Sequence, residues 1–187
     1  MIDLRHKGLP DHIEVAGKSY LIYTDFREWL KVSEVLKDKY VDILDLAFII
    51  KDDITVFDLL TNKQQFLEQI LAFYTNPNVT PHDTGNSSNV IVDYILDGEF
   101  IVGSFMQSYG IDLTTCDMHW HMFKALFLSL PEDCKINQIM TLRSYKKSSM
   151  KYEAQCEHLK SIWSLPNSIS REDSEIMEEI NKEFYNC

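Results

Sequence analysis

Cysteine and histidine side chains are closest together in the middle of the chain, where Cys116, His119 and His121 are candidate metal ligands. A structural zinc ion needs four ligands that converge on one point. If this stretch is helical, His119 and His121 point about 200° apart, and only Cys116 and His119 share a face. No fourth ligand lies near them in the sequence. We therefore predict no metal and no cofactor, and we assign these side chains to packing around Trp120.

Two pairs of carboxylates are candidates for general acid–base chemistry, namely Asp52 with Asp53 and Asp93 with Asp97. Such pairs catalyse reactions when a shared cleft drives their pKa values apart. The spacing of Asp93 and Asp97 instead fits the start of a helix, where carboxylates cap free amides. Gly103-Ser104 lacks the second glycine of a nucleophile elbow. We predict that the protein is not an enzyme, and a hydrolase with an unrecognised site is the weakest alternative.

The composition indicates a folded, acidic protein of 187 residues, with 45% hydrophobic residues and a net charge of −11. A protein that binds phosphates needs an excess of Lys and Arg, so this balance argues against nucleic acid and anionic membranes as partners. The longest apolar runs fall far short of the roughly 20 residues that a bilayer span requires. The four cysteines form no Cys-x-x-Cys pair. We expect a soluble protein with reduced thiols.

The first third of the chain begins with a predicted β-hairpin at about residues 12–23, which turns at Ala16-Gly17-Lys18. Helical spacing of apolar residues then predicts a helix over Asp25–Lys37. Tyr40–Ile50 is apolar on most sides, so if it is helical we expect it to be largely buried. Asn62 is expected to cap the next helix, which ends before Pro77.

The rest of the chain is predicted to be helical after a Pro-, Gly- and Asn-rich loop at Asn76–Asn89. Asp97 is expected to cap a helix that ends at Gly110, and Thr114 or Thr115 to cap the next one, which ends before Pro131. Two more helices are predicted at about Ile136–Tyr145 and Ser149–Ser164.

The pattern as a whole predicts a mainly α protein, with a helical bundle-like single domain over residues 1–165 and the small N-terminal hairpin. Residues 166–187 are predicted to form an acidic, amphipathic tail helix. The apolar character of His119–Leu130 predicts that Trp120, Phe123, Leu126 and Phe127 lie in the core.

A series of short motifs fills residues 104–145. They read Ser-Phe-Met-Gln-Ser-Tyr-Gly-Ile-Asp-Leu, then Met-His-Trp-His-Met-Phe-Lys-Ala-Leu, Leu-Pro-Glu-Asp, and Ile-Met-Thr-Leu-Arg-Ser-Tyr. Their order resembles the phage "gene product fifteen" family of siphophages and prophages of Gram-positive bacteria. The similarity extends over about Leu9–Leu165 and includes Leu9-Pro10 and Thr24–Leu30. The residues that carry it are Tyr109, Gly110, Ile111, Asp112, Leu113, His119, Trp120, Phe123 and Arg143.

The resemblance implies a tail assembly chaperone, encoded just upstream of the tape-measure protein and acting in the cytoplasm of the bacterial host. Its partners would be the tape-measure protein, a companion tail assembly chaperone or both, and a homo-oligomer is left open. The family offers no catalytic residues, and its motif residues are expected in the core. His121 departs from the pattern, since an aromatic residue is expected after His-Trp. The alternative is a structural or connector protein that is retained in the phage particle.

Overall fold

The computed structural model of the chain describes residue 5 and residues 7–37, 40–75, 91–144 and 153–165. These residues form a two-stranded antiparallel sheet and helices, so the prediction of a mainly α protein with an N-terminal hairpin is confirmed. None of the described helices has the length and hydropathy needed to cross a bilayer. The predicted loop at Asn76–Asn89 and the predicted tail helix at 166–187 lie outside the described residues.

Two compact units make up the chain. The first consists of Met1–Thr84 and Leu113–Ser129, and the second of Gly85–Asp112 and Leu130–Cys187. Each unit is described by itself below. The assignment of residues 1–165 to one bundle-like domain stays a prediction.

The hairpin of the first unit pairs strand β1 (His12–Val15) with strand β2 (Lys18–Leu21). Both turn residues have positive φ, 52° at Ala16 and 73° at Gly17. This left-handed turn matches the natural twist of two paired strands, and the glycine adopts it without steric cost. One face of the hairpin is buried through Ile13, Val15 and Tyr20.

The helices of the first unit are α1 (Phe26–Val35), α2 (Val56–Thr61), α3 (Lys63–Thr75) and α5 (Trp120–Leu128), with a 3₁₀ helix at Ile43–Ile49 between α1 and α2. Asp25 caps α1 by accepting a hydrogen bond from the amide of Arg27 at 2.9 Å. Helix α3 packs on β1, and α1 packs on both the 3₁₀ helix and α5. The core of this unit therefore lies between the hairpin, α1, α3 and α5.

Three local predictions for this unit were wrong. Tyr40–Ile50 is not a largely buried helix, because its 3₁₀ turns bury Leu46 and Ile49 and leave Leu44 and Phe48 exposed. Asn62 ends α2 rather than capping α3 from in front, and its side chain donates to the carbonyl of Asp58 at 2.9 Å.

The predicted cap at Thr114 or Thr115 is the third error, because α5 begins only at Trp120 and is capped by His119. The preceding residues 113–118 are irregular. Carbonyls of this segment accept hydrogen bonds from the first turn of α1 instead, as the bond from the Phe26 amide to the Met118 carbonyl at 2.9 Å shows.

The second unit contains α4 (Gly98–Tyr109), α6 (Lys135–Ser144) and α7 (Glu153–Trp163). Helix α6 packs against both α4 and α7. Helix α4 ends at Gly110, whose φ of +67° is the left-handed conformation that the sequence predicted. Asp97 precedes α4 but its side chain makes no capping bond, so that prediction was wrong.

Candidate partner-binding surface

An aromatic cluster fills the first unit around Trp120, the first residue of α5. The Trp120 ring stacks on Tyr74 at 5.4 Å, on Phe123 at 5.8 Å and on Trp29 at 6.4 Å between centroids. Its indole N–H donates to the carbonyl of Tyr74 at 3.2 Å. Trp120, Phe123 and Phe127 are buried as predicted, and Leu126 is half-buried. These motif residues hold the unit together and present no reactive group to solvent.

The two histidines of the motif lie next to this cluster and are fixed by backbone groups. His119 Nδ1 accepts the amide of His121 at 3.0 Å, and its Nε2 donates to the carbonyl of Pro10 at 2.9 Å. His121 Nε2 donates to the carbonyl of Phe73 at 2.9 Å, and its ring stacks on Phe73 at 4.4 Å. Burial lowers the pKa of His121 to about 4 and also lowers the pKa of His119. A neutral, stacked His121 thus takes the place of the aromatic residue expected there.

The segment that contains Cys116 is fixed by Arg27. One guanidinium nitrogen of Arg27 donates to the carbonyls of Leu113 at 2.8 Å and Cys116 at 3.0 Å, while the other bonds the carboxylate of Asp25. Leu113 is buried below this contact. Within the described ranges, no group of three or more His, Cys, Asp or Glu side chains is arranged to hold a metal ion. Cys116 and His119 are therefore positioned by structural contacts.

In the second unit, motif residue Arg143 forms a buried ion pair with Asp97, at 2.5 and 2.8 Å. The same guanidinium donates to the carbonyls of Ile91 at 3.0 Å and Trp163 at 2.5 Å. Four acceptors thus surround one charged side chain of α6. The pairing of Asp97 with Arg143 also explains why Asp97 does not cap α4.

The remaining motif residues of the second unit lie at the end of α4. The Tyr109 ring meets Phe105 edge-on at 5.7 Å, Gly110 provides the left-handed turn, and Ile111 and Asp112 are half-buried. The motif is thus divided, since Leu113, His119, Trp120 and Phe123 belong to the first unit.

Three of the four carboxylates in the candidate pairs have structural partners. Asp52 accepts the amide of Leu21 at 2.6 Å, and Asp93 accepts the amides of Ile95 and Leu96 at 2.9 and 3.0 Å. Asp93 therefore caps the turn that precedes α4, whereas its spacing predicted a cap at the start of a helix. Asp97 accepts the Asp93 amide at 2.9 Å in addition to the Arg143 guanidinium.

Sequence reasoning missed one feature of the first unit, an exposed set of large apolar side chains. These side chains come from β2 and the residues that directly follow it, from the 3₁₀ helix and from α2. We call them the apolar surface, and they are Leu21, Tyr23, Leu44, Phe48, Val56, Phe57 and Leu60. Phe57 is 75% exposed, Val56 57% and Leu60 51%. A single exposed leucine is ordinary, but a group of seven on adjoining elements is typical of an interaction site.

The backbone explains why these side chains point outward. Side chains alternate along a strand, so Tyr20 and Ile22 are buried while Leu21 and Tyr23 are exposed. Val56 and Leu60 are one helical turn apart on α2, and Phe57 is three residues from Leu60, so all three share its outer face. Only Leu59 is buried in this helix. A helix of six residues with four large apolar side chains cannot bury them all, which is the signal that could have revealed the surface.

Backbone hydrogen bonds hold the elements of this surface together. The Tyr23 amide donates to the carbonyl of Ile49, and the Lys51 amide to the carbonyl of Leu21, both at 2.8 Å. Helix α2 packs on the 3₁₀ helix. The apolar surface is therefore supported by a connected backbone and needs no rearrangement to be exposed.

The profile of a protein family described as Bacteriophage Gp15 protein matches residues 6–165 of the chain. The match ends at Leu165, which is also the last residue that the structure describes, and it includes residues of both compact units. Comparison with curated proteins and with solved structures gives no significant match.

Proposed function

The chain belongs to the Bacteriophage Gp15 protein family, and on that premise we propose that it is a tail assembly chaperone that binds the tape-measure protein of a tailed phage, or a companion chaperone, in the host cytoplasm. The proposal assigns it a binding role and no catalytic step. The observation that supports binding is the apolar surface of the first unit, in which Phe57 of α2 is 75% exposed.

The physical need for such a protein follows from the nature of a tape measure, which is a very long helical chain with apolar stripes. Before the tube subunits cover them, these stripes associate with one another and the chain aggregates. A protein that offers a matching apolar surface shields them, because each buried large apolar side chain contributes roughly 1.5–3 kcal/mol. The net charge of −11 keeps the chaperone itself from aggregating.

Co-purification tests this proposal. The affinity-tagged chain and the untagged tape-measure protein of the same phage are expressed together, and the tagged chain is recovered. We expect the tape-measure protein to be recovered with it, and quantitative mass spectrometry of purified phage particles to find the chain absent. Recovery of the chain alone, both in this experiment and when a companion chaperone is co-expressed as well, contradicts the proposal. A fixed copy number in purified particles supports the connector protein instead.

A further inference from the structure

We propose that the apolar surface binds an amphipathic helical segment whose apolar stripe is flanked by Lys and Arg. This inference rests on the proposed function, since it specifies which segments of the partner are bound. Two properties of the surface carry it, namely the arrangement of the apolar side chains and the charge that surrounds them.

The arrangement suits a helix. Val56, Phe57 and Leu60 form a short ridge on α2, and Leu44 and Phe48 are exposed on the 3₁₀ helix packed beside it. An amphipathic helix presents apolar side chains at i, i+3, i+4 and i+7, which can contact both elements at once. Leu21 and Ile22 are paired with residues 11 and 12 on one side and, through the Ile22–Ile50 bridge, with the residues after the 3₁₀ helix on the other, so this stretch of backbone has no free edge for an added strand.

The stretch of chain that carries five of the seven side chains of the apolar surface is strongly negative. Residues 40–60 contain five aspartates and one lysine. Asp42, Asp45, Asp52 and Asp53 are exposed, and Asp58 is half-buried. The single Lys51 lies over the ring of Tyr23, with its Nζ 5.2 Å from the centroid. We call these five aspartates the acidic rim. Apolar side chains on a stretch with this charge favour a partner with positive charge beside its apolar stripe, and they disfavour acidic segments.

The same charge argues against a second copy of this chain as the occupant. In a two-fold symmetric dimer the surface would meet itself, and the aspartates of both copies would face each other across the interface. Like charges at such close range oppose association. The surface thus selects a basic partner over a copy of itself.

Overlapping 20-residue peptides that span the tape-measure protein of the same phage are the probe. Their binding to the full chain is measured by fluorescence anisotropy. We expect the tightest-binding peptides to combine a helical apolar stripe with an excess of Lys and Arg, and matched peptides with Glu in place of those Lys and Arg to bind at least about tenfold more weakly. If acidic or neutral peptides bind equally well, the inference about charge is overturned.

Variants test whether the apolar surface is where the peptides bind. Phe57→Ser with Leu60→Ser removes two exposed anchors and should weaken binding about tenfold or more. Ile95→Ser, at a residue of the second unit that is 71% exposed, is the matched control and should change binding less than twofold. Circular dichroism and melting temperature establish that both variants are folded. Equal weakening by the control, or none by the double variant, overturns the assignment of the site.

The acidic rim is tested separately with Asp45→Asn and Asp53→Asn together, against Glu99→Gln and Glu132→Gln in the second unit. The Asp45→Asn, Asp53→Asn variant should bind basic peptides about three- to tenfold more weakly than the parent at low salt. This difference in affinity should vanish near 0.5 M salt, where exposed charges are screened. The control should have no such effect. An unchanged affinity of the rim variant at low salt contradicts the inference.

These outcomes are separable from those of the proposed function. If the tape-measure protein co-purifies equally with the parent chain and with the Phe57→Ser, Leu60→Ser variant, the chaperone proposal stands and the surface inference fails. If sedimentation shows that the parent is a dimer and this variant a monomer, the surface is a self-contact and the inference also fails.

Discussion

Arg143 and Asp97 are 46 residues apart in the sequence, and their side chains form two hydrogen bonds inside the second unit. The pair joins α6 to the residue that precedes α4. Arg143 also reaches the carbonyls of Ile91 and Trp163, so one side chain connects four parts of this unit. Both members are buried, with side chains 8% and 2% exposed.

Removing one member of this pair should destabilise the protein strongly. Arg143→Met leaves the Asp97 carboxylate buried without its counter-charge, and such a change costs about 3–5 kcal/mol. Urea unfolding followed by circular dichroism measures the loss. Glu99→Gln, at an exposed position of α4, is the control and should change the free energy of unfolding by less than about 0.5 kcal/mol. An Arg143→Met variant as stable as the parent would show that the pair is not formed in solution.

Replacing both members together distinguishes two contributions to the free energy of unfolding, namely the cost of burying the charges and their mutual attraction. In Asp97→Leu with Arg143→Met no unpaired charge remains, so the double variant should be more stable than Arg143→Met alone. A double variant whose loss equals the sum of the two single losses would show that the two side chains do not interact.

The buried His121 predicts a dependence of stability on pH. Its pKa is lowered to about 4 by burial, so the unfolded chain binds more protons than the folded one between the folded pKa of about 4 and the ordinary pKa of 6.5. Stability is therefore lost as the pH falls through this window, by about 2 kcal/mol at pH 4.5 from this side chain alone.

His121→Phe tests this prediction, because phenylalanine keeps the stacked ring and does not titrate. The loss of unfolding free energy between about pH 7 and pH 4.5 should be about 2 kcal/mol smaller in the variant than in the parent. His12→Phe, at an exposed position, is the matched control. Equal pH dependence of parent and His121→Phe would mean that His121 is accessible to water.

Trp120 should be the most costly aromatic residue to truncate in the first unit, because its ring is 1% exposed and contacts three other rings. Trp120→Ala should cost about 3–5 kcal/mol. Met122→Ala lies on the same helix at a position that is 42% exposed, and should cost less than about 1 kcal/mol. Thermal unfolding of the two variants compares them directly, and similar melting temperatures would contradict the buried position of Trp120.

The fold elements that the sequence predicted are those with a strong local signal. Gly17 and Gly110 mark a turn and a helix end because glycine adopts positive φ readily, and both do so here. Asp25 is the first residue of the helix that the apolar spacing predicted, and it caps α1, as an aspartate before a periodic apolar stretch commonly does.

Two of the errors come from residues whose role is set by distant contacts. Asp97 fits a helix cap by local chemistry, but Arg143, far along the chain, takes its carboxylate. Thr114 and Thr115 are good caps, yet α5 starts after the segment that Arg27 holds. The apolar surface was missed because apolar residues were expected to be buried, although the four large apolar side chains of the six-residue α2 are more than so short a helix can bury.

The solubility of the tape-measure protein is the most direct test of the proposed chaperone role. The tape-measure protein is produced in a bacterial host alone, with the parent chain, and with the Trp120→Ala variant as a destabilised control. The fraction that stays in the supernatant after centrifugation is measured. We expect most of the tape-measure protein to be soluble with the parent chain and to aggregate when it is produced alone. A tape-measure protein that is equally soluble without this chain would contradict the chaperone role.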